Sequence, residues 1–229
     1  MDNDWDKLIA LSLWVHNNVA YDSAYYSVSE NASSVFLKRA GTCDEFSHLL
    51  IALLRSVDIP AKFVASFVYS GKDWGRHAFV EALVDGYWVP VDPTFNEALL
   101  LDATHIKFGE GLDQQDIKED IVVRPKFGST VDVSKISLTS STPSIQLDEI
   151  RPFPSDLFSL RLSLPEHRVG SRSLETVSVT VKNGAHKMAV PLSLNTPKEV
   201  TVIGPNAVNQ DQLVLLEPLE EKTVEWKVL

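Results

Sequence analysis

The chain has 229 residues, 44% of them hydrophobic and 23% charged, and a formal net charge of −10. This is room for one large domain or two modest ones, in an ordinary globular composition rather than a disordered or membrane-embedded one. The acidic balance argues against nucleic acid, whose phosphates need clustered Lys and Arg, and a lone cysteine allows neither an internal disulfide nor a cysteine-ligated zinc site.

Met1-Asp-Asn-Asp lacks the basic and apolar regions of a signal peptide, and no apolar run approaches the roughly 18–20 residues of a membrane span. The expected compartment is extracellular or surface-associated if a leader or anchor has been trimmed, and cytoplasmic otherwise. From about Asn3 to Asn18 the spacing of Trp5, Leu8, Ile9, Leu13 and Val15 predicts a helix. Tyr21–Ser29 reads as a polar, aromatic loop, and Ala32–Arg39 as a short helix stopped at a Gly41 C-cap.

Thr42-Cys-Asp-Glu has the form of a capping box, which makes Thr42 the N-cap and Cys43 the first helical residue. Phe46, Leu49, Leu50, Leu53, Leu54 and Val57 continue at helical spacing until Asp58-Ile59-Pro60. Cys43 therefore meets unpaired N–H groups and the positive end of the helix dipole, a placement expected to lower a thiol from about 8.5. Ala61–Tyr69 follows as a strand rich in β-branched and aromatic residues, and Ser70–Gly75 as a loop.

The run from His77 to Val84, the turn signal Asp85-Gly86 and the run from Tyr87 form one expected hairpin. With a two-residue loop Val84 faces Tyr87, and Phe79 faces Asp92. His77 then shares a face with Asp92 as its diagonal neighbour, within reach of a carboxylate that fixes one tautomer and leaves the other nitrogen for a thiol. Pro90 suggests an edge or a bulge in the second strand.

Gly41-Thr-Cys-Asp-Glu-Phe-Ser-His-Leu-Leu, Val57-Asp-Ile-Pro-Ala-Lys-Phe-Val, Arg76-His-Ala-Phe-Val-Glu and Gly86-Tyr-Trp-Val-Pro-Val-Asp-Pro-Thr together resemble the transglutaminase-like core. The resemblance spans residues from about 8 to about 120, including Asn18–Tyr21 and Asp102-Ala-Thr-His-Ile-Lys, and stops before the last third. It implies a papain-related α+β fold, a helix-borne cysteine packed on an antiparallel sheet, with a Cys-His-Asp triad that falls on Cys43, His77 and Asp92. One departure is Phe79, where the family usually has Trp.

Ala103–Phe108 reads as another strand, Asp113–Val122 as a short acidic helix, and Ile121–Val123 and Val131–Ile136 as weaker strands. Leu138–Ser155, rich in Ser, Thr and Pro, has a linker's composition. Beyond it, Leu157–Leu164, Leu174–Val181, Met188–Leu194, Val200–Ile203, Gln212–Leu216 and Thr223–Val228 alternate as short strands, with Asn183-Gly184 as a hairpin turn. They suggest a small antiparallel sandwich, immunoglobulin-like by analogy. The expected division is a core over 1–140, a linker over 141–155 and a β-sandwich over 156–229.

Other residues weigh less. Trp74 and Trp88 could line a cleft or pack on the core, and are the substrate-binding candidates. His48 lies about 140° from Cys43 around its helix, away from the place of a base. His105 reads as a structural hydrogen-bond partner, Asp44 and Glu45 as first-turn acids suited to the dipole rather than a metal pair, and His167 and His186 as surface histidines. No metal and no cofactor is expected.

The expected chemistry is acyl transfer through a cysteine nucleophile on a protein or peptide substrate. By resemblance to single-core bacterial and archaeal-type members, which look more like proteases or amidases, it leans towards hydrolysis. Cross-linking by a transglutaminase remains open, as does a non-catalytic scaffold on the same fold. Peptide N-glycanases usually add a zinc module of paired cysteines that this chain lacks, and arylamine acetyltransferases fit the blocks around His77 and Asp92 less well.

Overall fold

The computed structural model describes residues 3–102, 104–117, 157–164, 173–204 and 211–229. The weaker strands expected near 121–123 and 131–136, the 138–155 linker and His167 lie outside those residues.

Helix α1 (Asp4–Asn18) starts at Asn3, whose side-chain oxygen accepts from the Asp6 N–H at 2.8 Å. It turns Leu8, Ile9 and Val15 inward. A two-residue strand β1 (Ala20–Tyr21) runs parallel to β2 (Ala40–Gly41), with α2 (Ala32–Lys38) between them. The C-cap of α2 is not Gly41 but Arg39, which adopts the left-handed conformation at φ 58°. Gly41 is required for space instead: a Cβ there would stand 2.3 Å from the Glu45 Cβ.

Helix α3 (Cys43–Ser56) buries Phe46, Leu49, Leu50 and Leu54. They pack on one face of a five-stranded antiparallel sheet, β3 (Ala61–Tyr69), β4 (Trp74–Val84), β5 (Tyr87–Asp92), β6 (Glu97–Ala98) and β7 (His105–Gly111), in the order β6-β5-β4-β3-β7. Ala78, Val80, Ala82 and Val84 of β4 and Ala61, Phe63 and Ala65 of β3 supply the sheet's side of that core. Because strand side chains alternate, His77 and Phe79 point to the other face. The hairpin has the expected register, Val84 opposite Tyr87 through Val80 opposite Val91, and Asp85 and Gly86 both hold positive φ, as the two-residue turn demands. After β7 the expected acidic helix is, within the described residues, a single 3-10 turn at Gln114–Asp116.

The later strands form two sheets. One has the order β11-β13-β9-β8, from β8 (Phe158–Ser163), β9 (Glu175–Asn183), β11 (Val202–Ile203) and β13 (Glu221–Val228). The other pairs β10 (Met188–Leu192) with β12 (Gln212–Leu216). Val181, Val190, Leu216 and Trp226 fill the core between them. Asn183-Gly184 does not close a hairpin, since β9 pairs with β13 and β10 with β12. The Asn183 side chain explains why: it is buried and donates to the carbonyls of His186, Leu216 and Glu217, tying the crossover between sheets. The alternation of β10 and β12 also turns Ala189 and Leu213 into the first core, so this small sheet is shared by both halves.

Candidate active site

Cys43 is the first residue of α3, 8% exposed, and its helix start is held by a buried carboxylate. Glu45 Oε2 accepts from the Thr42 N–H at 2.9 Å and from the Thr42 hydroxyl at 2.8 Å, while Oε1 accepts from the Glu30 N–H at 3.1 Å. This carboxylate therefore locks the approach to Cys43 and the loop before α2 together, more than a cap alone would do.

The sheet presents the partner groups. His77 Nε2 lies 2.5 Å from Asp92 Oδ2, with both side chains buried. Asp92 Oδ1 accepts from the backbone N–H groups of Thr94 and Phe95 at 2.7 and 3.2 Å, so the turn after β5 fixes the carboxylate's second oxygen. Phe95 covers His77, with ring centroids 5.1 Å apart. Nε2 of His77 is thus committed to Asp92, while the Cys43 Sγ lies 3.9 Å from Asp44 Oδ1.

The sulfur faces the same segment. The N–H of Ala78, the residue after His77, points at Cys43, and both it and the Asp44 N–H favour a thiolate. They are outweighed: burial pushes the thiol up to about 12, and the charges of Asp44 and Asp92 push the same way. The lowered thiol expected from the helix N-terminus is thus reversed, because the helix start is sealed and two carboxylates stand near it. Asp44 is itself raised, by burial and then by Glu45, and its Oδ2 accepts from Gln114 Nε2 at 2.7 Å.

Asp92 has a second imidazole. His105 Nε2 lies 3.1 Å from the same Oδ2, and its Nδ1 lies 3.0 Å from Asp102 Oδ1. Burial alone would raise Asp92, yet the hydrogen bonds from His105 and His77 bring it down to about 2. Burial would likewise lower His105, and the carboxylates of Asp92 and Asp102 carry it up to about 9. The ligand atoms of His77, Asp92 and His105 lie within 4.8 Å of one another, as do those of Glu97, Asp102 and His105. Within these sets hydrogen bonds join His77 to Asp92, Asp92 to His105 and His105 to Asp102.

The two tryptophans fall differently. Trp74, three residues before His77 on β4, rests against Tyr69 at 5.3 Å. Trp88 pairs with Leu83 at the turn end of the hairpin, about 20 Å along the strand from His77. Lys62 Nζ sits 4.3 Å over the Trp88 ring and also pairs with Glu81, which gives that indole a local partner. His48 donates through Nδ1 to the Glu30 carbonyl at 3.1 Å, and His186 is exposed.

Two contacts were not read from the sequence, Gln114 on Asp44 and His105 on Asp92. Both arrive through β7 and the turn after it, and β7 pairs with β3 across some forty residues. Asp102-Ala-Thr-His, an acid three residues before a histidine, was the only local sign of the second.

A model of the transglutaminase-like superfamily matches residues 1–93. Similar proteins include an uncharacterized protein of Mycobacterium leprae, 27% identical over 118 residues, 48% of this chain and 41% of that one. Another, from Mycobacterium bovis, is 27% identical over 136 residues, 52% of this chain and 43% of that one. The match thus spans less than half the length of either relative. Among solved structures, a candidate cysteine protease from Cytophaga hutchinsonii is 32% identical over 49% of this chain and 38% of its own, with TM-score 0.43. A TGase is 22% identical over 41% of this chain and 27% of its own, with TM-score 0.36. The N-terminal core itself combines helices with an antiparallel sheet, and among the described residues no helix is long and apolar enough to cross a membrane.

Proposed function

We propose that the core is a cysteine acyl-transfer enzyme in which Cys43 is the nucleophile, His77 the base and Asp92 the group that orients it, and that it hydrolyses a peptide or amide bond. The observation that carries this reading is the buried 2.5 Å contact of His77 Nε2 with Asp92, on the strand whose next N–H faces the Cys43 sulfur. Because the resting sulfur is a thiol, the proton passes to Nδ1 of His77 as the sulfur attacks the carbonyl carbon, rather than beforehand. The Cys43 N–H, which has no partner within the helix, faces the developing oxyanion. Collapse of the adduct breaks the C–N bond, and the amine leaves with the proton from His77. Water then gives a proton to His77 and adds to the thioester, and the acid leaves as the thiol is reformed.

In this reading the later strands form a β-sandwich module of immunoglobulin-like type that braces the core against its substrate, and Trp74, beside the His77 end of β4, is the better substrate contact of the two tryptophans. A mixed peptide library supplemented with a fluorescent primary amine tests it. New peptide termini formed by the wild type and abolished in Cys43→Ala support hydrolysis, and amine incorporation in their place assigns cross-linking. Equal processing by Cys43→Ala would remove the enzyme reading.

A further inference from the structure

His105 meets a carboxylate at each ring nitrogen: Asp92 on β5 at Nε2 and Asp102, in the turn before β7, at Nδ1. A neutral imidazole has one N–H, so it would set a bare nitrogen lone pair against one of these oxygens at about 3 Å; with both protons it donates twice. Glu97 of β6 adds a third negative group, and His77 of β4 stands across Asp92 with ring centroids 5.4 Å away. The ring edges of Phe79 at 6.0 Å and Phe95 at 5.8 Å close the remaining sides, and the His105 side chain is only 4% exposed. Asp102 is held in turn by the Thr104 N–H at 2.8 Å and the Thr104 hydroxyl. Asp102, whose side chain is 52% exposed, and Phe95, 48% exposed, form the surface of this arrangement.

We propose that His105 is a positioning residue for the reaction at Cys43, an imidazolium that shares Oδ2 of Asp92 with His77 and holds that oxygen on the Nε2 side of the ring, so that the His77 ring keeps one orientation. The inference rests on the acyl-transfer reading of Cys43, His77 and Asp92. Without the second imidazole, Oδ2 of Asp92 would keep the His77 contact alone and lose the partner that fixes it from the other side. The charge on His105 is retained until the pH approaches about 9. The Phe79 ring, 3% exposed, meets His105 edge-on at 89°.

The test is the rate of Cys43 alkylation by iodoacetamide from about pH 5 to about pH 10, in the wild type, His105→Gln, Asp102→Asn and His77→Ala. Gln keeps a donor near Asp92 and removes the charge. The His105→Gln profile is expected to lose the inflection near pH 9. Asp102→Asn leaves His105 in place and is expected to move that inflection down by about one unit; it decides the matter if His105→Gln does not fold. A role confined to packing would lower the rate evenly at every pH. Limbs that coincide with the wild type in the folded variants, with alkylation still dependent on His77, overturn the inference alone. Wild-type alkylation indifferent to His77→Ala overturns the underlying reading with it.

Discussion

One carboxylate oxygen of Asp92 receives two imidazoles, while its other oxygen receives two backbone N–H groups. A group bound this fully resists both rotation and protonation. Its stabilising effect is present above the ordinary carboxyl value of 3.8 and is lost as the pH falls through about 2. His105 has the opposite sign: its effect is complete below 6.5 and lost as the pH rises through about 9. Thermal denaturation followed across pH should therefore show a midpoint that declines between about pH 6.5 and about pH 9, with the decline flattened in His105→Gln. Asp92→Asn keeps the shape but inverts the hydrogen-bonding preference of one oxygen. It should slow Cys43 alkylation by about 100-fold or more, with far-UV circular dichroism unchanged. At this scale the sequence told His77 and Asp92 together, because a two-residue turn sets the register of everything on its arms. It did not tell the sign of the thiol's shift, since burial of Cys43 and the approach of Asp92 are tertiary facts that no helix start encodes.

At the scale of elements, α3 is the part that both its local sequence and its surroundings agree on. The apolar spacing made the helix legible, and Asp58-Ile59-Pro60 its end, where Asp58 adopts φ 63°. The role of Gly41 was misread, because a glycine after a short helix suggests a C-cap while the requirement here comes from Glu45 pressing on its Cα. Gly41→Ala should cost about 1–3 kcal/mol in denaturant unfolding, the usual range for an overpacked site, since the Glu45 side chain it would meet is tied to three donors. The hairpin turn supplies a companion test. Gly86 holds φ 81° with open space around it, so Gly86→Ala suffers backbone strain without a clash, of about 1–2 kcal/mol.

Across the whole molecule, the shared β10–β12 sheet couples the two halves. Ala189 and Leu213 turn into the core of α1 and the five-stranded sheet while their neighbours Val190 and Val214 turn the other way. Polar ties cross the same seam: His16, which also donates to the Pro93 carbonyl at 3.0 Å, to Asp211 at 3.3 Å, Asn96 to the Gln212 carbonyl at 3.4 Å, and Lys187 over the Trp5 ring at 4.4 Å. Pro93 follows Asp92 directly, so the later strands reach the turn that holds the catalytic carboxylate of the proposed enzyme. Leu213→Asp, a buried charge without a partner, should lower the unfolding midpoint measured both by Trp fluorescence and by the loss of His77-dependent alkylation. Alternation made each of these strands visible in the sequence, but not which sheet each joins: Asn183-Gly184 looked like a hairpin because turn chemistry is local, whereas pairing of β9 with β13 is decided across some forty residues.

The most direct measurement is the second-order rate of Cys43 carbamidomethylation at about pH 7, read by intact mass, in the wild type and in His77→Ala. A buried thiol raised to about 12 reacts sluggishly unless an adjacent base takes its proton. The wild type should therefore outpace His77→Ala by about 100-fold or more. Equal rates in two equally folded proteins would contradict the claim that Cys43 and His77 act as one unit.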